Sequence, residues 1–193
     1  MIAGIGHNMG PTMERGQKWR AFQWQKAREA AMPSAIPLMV VKMRVARARA
    51  LGLDYKAYAA IRQATGRDIL ALLFSSNALR VVRADAPQMP VRETEILTAV
   101  QGAQKLALVH RPLSGGAVQG ANPVLDHVAS APRFTDSWAD MRDHLSGVMQ
   151  GRRLVGDQVL IIGDTGLERD WSGAAKAAGY LEAARYFGRD VQA

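Results

Sequence analysis

The stretch Ile161-Ile162-Gly163-Asp164-Thr165-Gly166-Leu167-Glu168-Arg169-Asp170 decides the fold class of this chain. With Val159 and Leu160 before it, it opens as an apolar run of strand length whose alternating positions are all apolar. That is the pattern of a strand covered on both faces, as in a parallel sheet packed between helices. The run closes on Gly163 and Asp164, turns, offers a second carboxylate at Asp170, and enters an Ala/Gly-rich segment reaching Tyr180. Carboxylates at the carboxyl edge of an α/β sheet stand where such sheets hold ligands or metals, which makes Asp164 and Asp170 candidate metal ligands.

Working outward, residues 69–74 and 106–110 show the same short, doubly apolar texture as 159–162. Helical patterns over 91–104, 137–150 and 170 to about 187 separate or follow these runs. The alternation predicts βαβ units: an α/β fold, a small three-layer domain over residues 67–193 with a mostly parallel sheet. Residues 111–133, carrying Gly115, Gly116, Gly120, Pro123 and Pro132, read as a long loop or small lid. Trp138 and Trp171, each near a helix start, read as packing residues.

If the sheet is parallel, the segments that follow its strands share one edge. Ser75-Ser76-Asn77 and His110 therefore join Asp164 as candidate ligand-binding residues, with Arg111 beside them. Hydroxyls, an amide and backbone N–H groups at a strand end suit a phosphate or carboxylate. No Gly-x-Ser-x-Gly elbow accompanies the serines, so a serine hydrolase of that type is not indicated.

Charge divides the chain. The net charge is +8, yet residues 1–67 hold 12 Lys/Arg against 3 Asp/Glu, a net +9, and residues 68–193 hold 13 against 14, a net −1. A basic module joined to a near-neutral one points to an anionic partner for the first, with nucleic acid the leading expectation over residues 12–67 and a protein partner the other. Within 12–66 the sequence predicts an all-helical domain. Its first helix runs from Thr12 to about Ala31, a second from near Pro37 to Leu51 stopped by Gly52, and a third, capped by Asp54, from Tyr55 to about Ala64, ended by Gly66. The second and third, with Ala48 four residues before Gly52 and Leu51, Leu53 and Ile61 as apolar anchors, approximate a helix-turn-helix. Arg44, Arg47, Arg49, Tyr55, Lys56, Arg62 and Gln63 would then face nucleic acid. Arg47 and Tyr58 stand where that motif prefers apolar and smaller residues.

Residues 1–11, with Gly4, Gly6 and Gly10, read as a flexible tail. The Gly4-Ile5-Gly6-His7-Asn8 run is not read as a phosphate loop, because no strand can precede it. The chain has no cysteine, which excludes disulfides, thiolate zinc sites and a cysteine nucleophile. His7, His110, His127 and His144 show no metal-ligand spacing. No run approaches the ~18 apolar residues of a membrane span, and the first residues lack a secretory pattern, so a cytoplasmic location without a membrane partner is expected.

Gly163-Asp164-Thr165, then Leu167-Glu168-Arg169-Asp170, then Gly173-Ala174-Ala175-Lys176-Ala177-Ala178-Gly179-Tyr180 resemble the fourth motif of the haloacid-dehalogenase-like (HAD-like) phosphohydrolases. The likeness extends to Leu72-Leu73-Phe74, at the place of the nucleophile strand, and to 91–110, similar to the helix and strand bearing the second motif. Over about residues 68–193 the resemblance implies a HAD-like Rossmann-type domain with a magnesium site at Asp164 and Asp170. Departures are concentrated where the chemistry would be. The family's aspartate nucleophile and its acid/base partner two residues later are here Ser75 and Asn77, and His110 replaces the Ser or Thr after the second strand. Serine lacks the carboxylate's charge, and an amide does not exchange a proton at neutral pH.

The expectation is therefore a degenerate binding module beside a basic helical region, a non-enzymatic nucleic-acid-associated or regulatory protein. A Mg-dependent phosphoester hydrolase is the second expectation. A phage- or plasmid-type accessory protein acting through protein contacts is the third.

Overall fold

The computed structural model describes Lys26 and residues 36–188. Its centre is one all-parallel sheet of β1 (Ala71–Ser75), β2 (Gln104–Val109), β3 (His127–Ser130), β4 (Val159–Gly163) and β5 (Gly179–Glu182), ordered β3-β2-β1-β4-β5. Within residues 36–188 there are seven α-helices: α1 (Leu38–Ala50), α2 (Tyr55–Thr65), α3 (Val91–Ala99), α4 (Gly115–Ala121), α5 (Trp138–Gly151), α6 (Gly166–Ala174) and α7 (Ala183–Tyr186). No helix among them is long and apolar enough to cross a membrane.

Every residue of β1 and β4 is buried, as the doubly apolar runs require. Ala71, Leu73, Leu106, Leu108, Val159 and Ile161 face one layer, packing with Met141 and Leu145 of α5 and Trp171 of α6. Their alternates Leu72, Phe74, Ala107, Val109, Leu160 and Ile162 face the other, with Leu97 of α3, Val118 of α4, Tyr186 and Phe187. Ala48, Leu51, Leu53 and Tyr58 from α1, α2 and the corner between them belong to this second layer and share its core. Each fully buried large side chain contributes about 1.5–3 kcal/mol through removal from water, so the two layers make the sheet the stable frame of the molecule.

Strand order carries the functional geometry. The chain winds outward from β1 through β2 to β3, returns to lay β4 against the opposite side of β1, and winds outward again to β5. The winding reverses between β1 and β4, and a crevice opens beyond the carboxyl ends of strands at such a point.

Three elements differ from the sequence expectation. The helix expected over 91–104 ends at Ala99, because Gln104 already pairs with Ala71 as the first residue of β2. The expected loop over 111–133 contains α4 and the edge strand β3. The single helix expected from 170 to 187 is three elements: α6, which begins earlier at Gly166, then β5 and α7. The second and third expected helices are present as α1 and α2, with Asp54 accepting from the Ala57 N–H and Gly66 in the left-handed conformation. The expected tail over 1–11 and helix from Thr12 to about Ala31 lie outside the described residues apart from Lys26, which is helical.

Candidate functional site

The switch-point crevice is built by the four segments that leave β1, β2, β3 and β4. Its cavity, about 500 Å³, is lined by Asn77 after β1, His110 and Arg111 after β2, residues 131–135 after β3, and Thr165 and Leu167 after β4. Such a volume falls in the range of small-molecule sites, roughly 300–1,000 Å³.

Beneath the cavity lies Glu168, fully buried on the first turn of α6. Its Oε1 accepts from Asn77 Nδ2 at 2.8 Å and from His110 Nε2 at 2.9 Å. Its Oε2 accepts from the backbone N–H groups of Asp164 at 2.6 Å and Thr165 at 3.1 Å. Thr165 Oγ1 in turn accepts from the Glu168 N–H, closing a reciprocal capping box. Burial pushes the Glu168 carboxyl up, but hydrogen bonds from His110, the Asp164 N–H, the Ser75 hydroxyl and the Thr165 N–H outweigh it and hold the group below the usual carboxylate range. Glu168 is therefore an anion, and His110 Nε2 must carry the proton it donates.

The local sequence makes room for this seat. A Cβ on Gly163 would come within 2.8 Å of both Cβ and Oε2 of Glu168 and 3.0 Å of Tyr180, so the glycine before Asp164 is what lets Glu168 fold back under the strand end. The Tyr180 hydroxyl, partly buried and facing the Glu168 charge, is pushed up to about 12. The His110 ring lies against Trp171, centroids 5.4 Å apart, which fixes its plane. Trp171 is wholly buried, whereas Trp138 is half exposed and would touch a Cβ on Gly173.

The residues read from sequence separate on this frame. Ser75, Ser76, Asn77 and His110 converge. Ser75 and Ser76 are buried structural groups: Ser75 Oγ accepts from the Ala78 N–H at 3.0 Å, and Ser76 Oγ accepts from the His110 N–H at 3.2 Å. Asn77 and His110 reach the cavity. Asp164 is exposed on the turn after β4, and Asp170 is exposed on α6. Among the described residues no group of three or more His, Asp or Glu side chains is placed to hold a metal ion. The carboxylate that organises the edge is Glu168, which the sequence reading passed over. Its available signal was the Thr-x-x-Glu spacing of a capping box at Thr165 and Glu168. Arg133, Phe134 and Thr165 were also missed, the first two because they lie on the loop after an edge strand that the pattern did not reveal.

On the basic helices, Arg47 turns inward. Its Nε donates to Asp68 Oδ2 at 2.9 Å and its Nη2 donates to the Ile69 and Gly102 carbonyls at 2.7 and 3.1 Å. Arg62 also lies 3.7 Å from Asp68. Arg49, Tyr55, Lys56 and Gln63 are exposed and Arg44 is half-buried. Gly52, at φ +71°, makes the corner between α1 and α2.

Set against known proteins, the chain matches no protein-family model, no curated protein and no solved structure.

Proposed function

We propose that the α/β body is a ligand-binding, regulatory module that takes a small anion in the switch-point cavity and does not use it for phosphoryl chemistry. One observation carries the reading: the cavity gathers Arg111, Arg133, His110, the Asn77 amide and the Thr165 hydroxyl, while the carboxylate beneath it is already satisfied by its own donors. Two arginines lining a cavity above a carboxylate whose lone pairs are already taken by its own donors favour a phosphate or carboxylate. The positions that a phosphohydrolase of the resembled type would give to its carboxylates hold a buried serine and an amide committed to Glu168, which supports binding over catalysis.

The test is titration of the full chain with inorganic phosphate and ribose 5-phosphate, followed by calorimetry and by amide shifts at His110 and Thr165. Saturable binding of at least one probe is expected, lost in the Arg111→Gln/Arg133→Gln double variant. No binding of either probe at millimolar concentration, or binding unchanged in the double variant, rejects the reading.

A second reading concerns residues 12–67, for which nucleic acid is the proposed partner. It is supported by the +9 balance of the first 67 residues and by Lys42, Arg44, Arg49 and Lys56, which form no ion pair among the described residues.

A further inference from the structure

The loop after β3 puts an aromatic ring at the mouth of the cavity. Phe134 is 84% exposed and has no ring or cation partner among the described residues, yet it lines the cavity with Arg133 before it and Thr135 after it. Core packing does not account for such a side chain. Nor is the loop shaped by the ring: Asp136 Oδ2 accepts from the Arg133 N–H at 2.8 Å, the Asp136 N–H donates to the Arg133 carbonyl at 3.1 Å, and Pro132 is buried. The Ser137–Asp140 capping box then starts α5 directly behind the turn. A hydrogen-bonded turn therefore brings Arg133 and Phe134 to the cavity together, and Arg111 and His110 line it from the β2 segment.

We infer that the cavity takes a nucleoside monophosphate, its base stacked on Phe134 and its phosphate held by Arg111 and Arg133. The inference rests on the anion-binding reading above and adds the chemical class of the ligand. Size agrees: a lone phosphate would leave most of about 500 Å³ empty, whereas a base, a sugar and one phosphate make a ligand of the size such cavities enclose. Charge agrees as well, because Arg111 and Arg133 carry no side-chain ion pair among the described residues and Glu168 lies sealed beneath the floor. Stacking on a phenyl face is tolerant of base identity, so recognition is of the class rather than of one base. Asn77 is turned down to Glu168 through its Nδ2, which leaves its carbonyl oxygen as the acceptor it can offer a sugar hydroxyl.

The experiment compares AMP with ribose 5-phosphate, which differ only in the base, on the intact chain by calorimetry. AMP is expected to bind roughly tenfold or more tighter than ribose 5-phosphate. Phe134→Ala should erase that difference while leaving ribose 5-phosphate affinity unchanged, and Phe134→Trp should restore it. Both variants should melt with the wild type, since the ring is exposed. Equal affinity for the two probes, or an AMP advantage that survives Phe134→Ala, overturns the inference and leaves the anion site standing. Absence of binding by both probes overturns the inference together with the reading beneath it.

Discussion

At the scale of the residue, Glu168 joins three strand ends through one carboxylate. Asn77 follows β1, His110 follows β2, and the Asp164 and Thr165 N–H groups follow β4, so the loss of its charge would loosen all of them at once. Glutamine cannot replace it, because each carboxylate oxygen accepts two N–H donors and an amide would turn its own N–H₂ toward one of those pairs. Hydrogen bonds to a buried charge are worth about 1.5–3 kcal/mol each, and orphaned donors add to the loss. Glu168→Gln should therefore destabilise the fold by about 3 kcal/mol and lower the melting temperature by roughly 6–12 °C. The same group predicts an acid limb. Its folded-state pKa lies below the ordinary 4.5, so its contribution is complete above that value and is lost as pH falls through the folded value. Wild-type stability measured by urea titration should fall from about pH 5 toward pH 3 more steeply than that of Glu168→Gln. Parallel curves would mean that the folded and unfolded states hold the Glu168 proton equally, so that folding does not lower its pKa.

At the scale of the element, α1 is fastened to the sheet by Arg47 rather than left free for a partner. Its guanidinium spans Asp68, the Ile69 carbonyl before β1, and the Gln101 and Gly102 carbonyls before β2. Arg47→Ala should cost about 2 kcal/mol and lower the melting temperature by roughly 4–8 °C, whereas the exposed Arg49→Ala should stay within about 0.5 kcal/mol. Equal melting of the two variants in circular dichroism would show that the Arg47 network adds nothing. Legibility of the elements follows from where they lie. β1 and β4 could be read because both their faces are buried and therefore apolar. β3 and β5 are edge strands, partly open to solvent, and lack that signature. The end of α6 was hidden for a different reason: Lys176, not glycine, takes the left-handed position, with the Ala177 N–H reaching back to the Ser172 carbonyl. α4 carries three glycines in seven residues, a poor helix former by propensity. Asn122 supports its end, accepting from the Met89 N–H and donating to the Pro87 and Val118 carbonyls. Convergence of Ser75, Asn77 and His110 at one edge followed from parallel strands alone. The link from Glu168 to Asn77 and His110 did not, because those partners lie 91 and 58 residues away in the chain.

At the scale of the whole molecule, the charge split means that the two proposed kinds of anion recognition can be measured independently. The cavity would hold its ligand with Arg111 and Arg133, partly enclosed and close to the ligand, so its affinity should fall only modestly with salt. The first 67 residues, at net +9, would act on a polyanion by releasing counterions, and duplex binding then falls with a logarithmic slope of about −0.9 for each phosphate neutralised. Arg47 and Arg62 make poor probes of that surface because both meet Asp68. Arg44, Arg49 and Lys56 are the informative positions. Their joint replacement by glutamine should leave melting within about 1 kcal/mol of wild type. It should weaken binding to duplex DNA or structured RNA across sequences and flatten the salt slope by roughly two to three. AMP and ribose 5-phosphate titrations of the same triple variant should match the wild type. Undetectable nucleic-acid binding by the intact chain at low salt, or an unchanged slope in the triple variant, removes the nucleic-acid reading without touching the cavity. Parallel loss of nucleic-acid and AMP binding on Arg111→Gln/Arg133→Gln would instead place the polyanion on the sheet edge and reject the division of labour that the charge split implies.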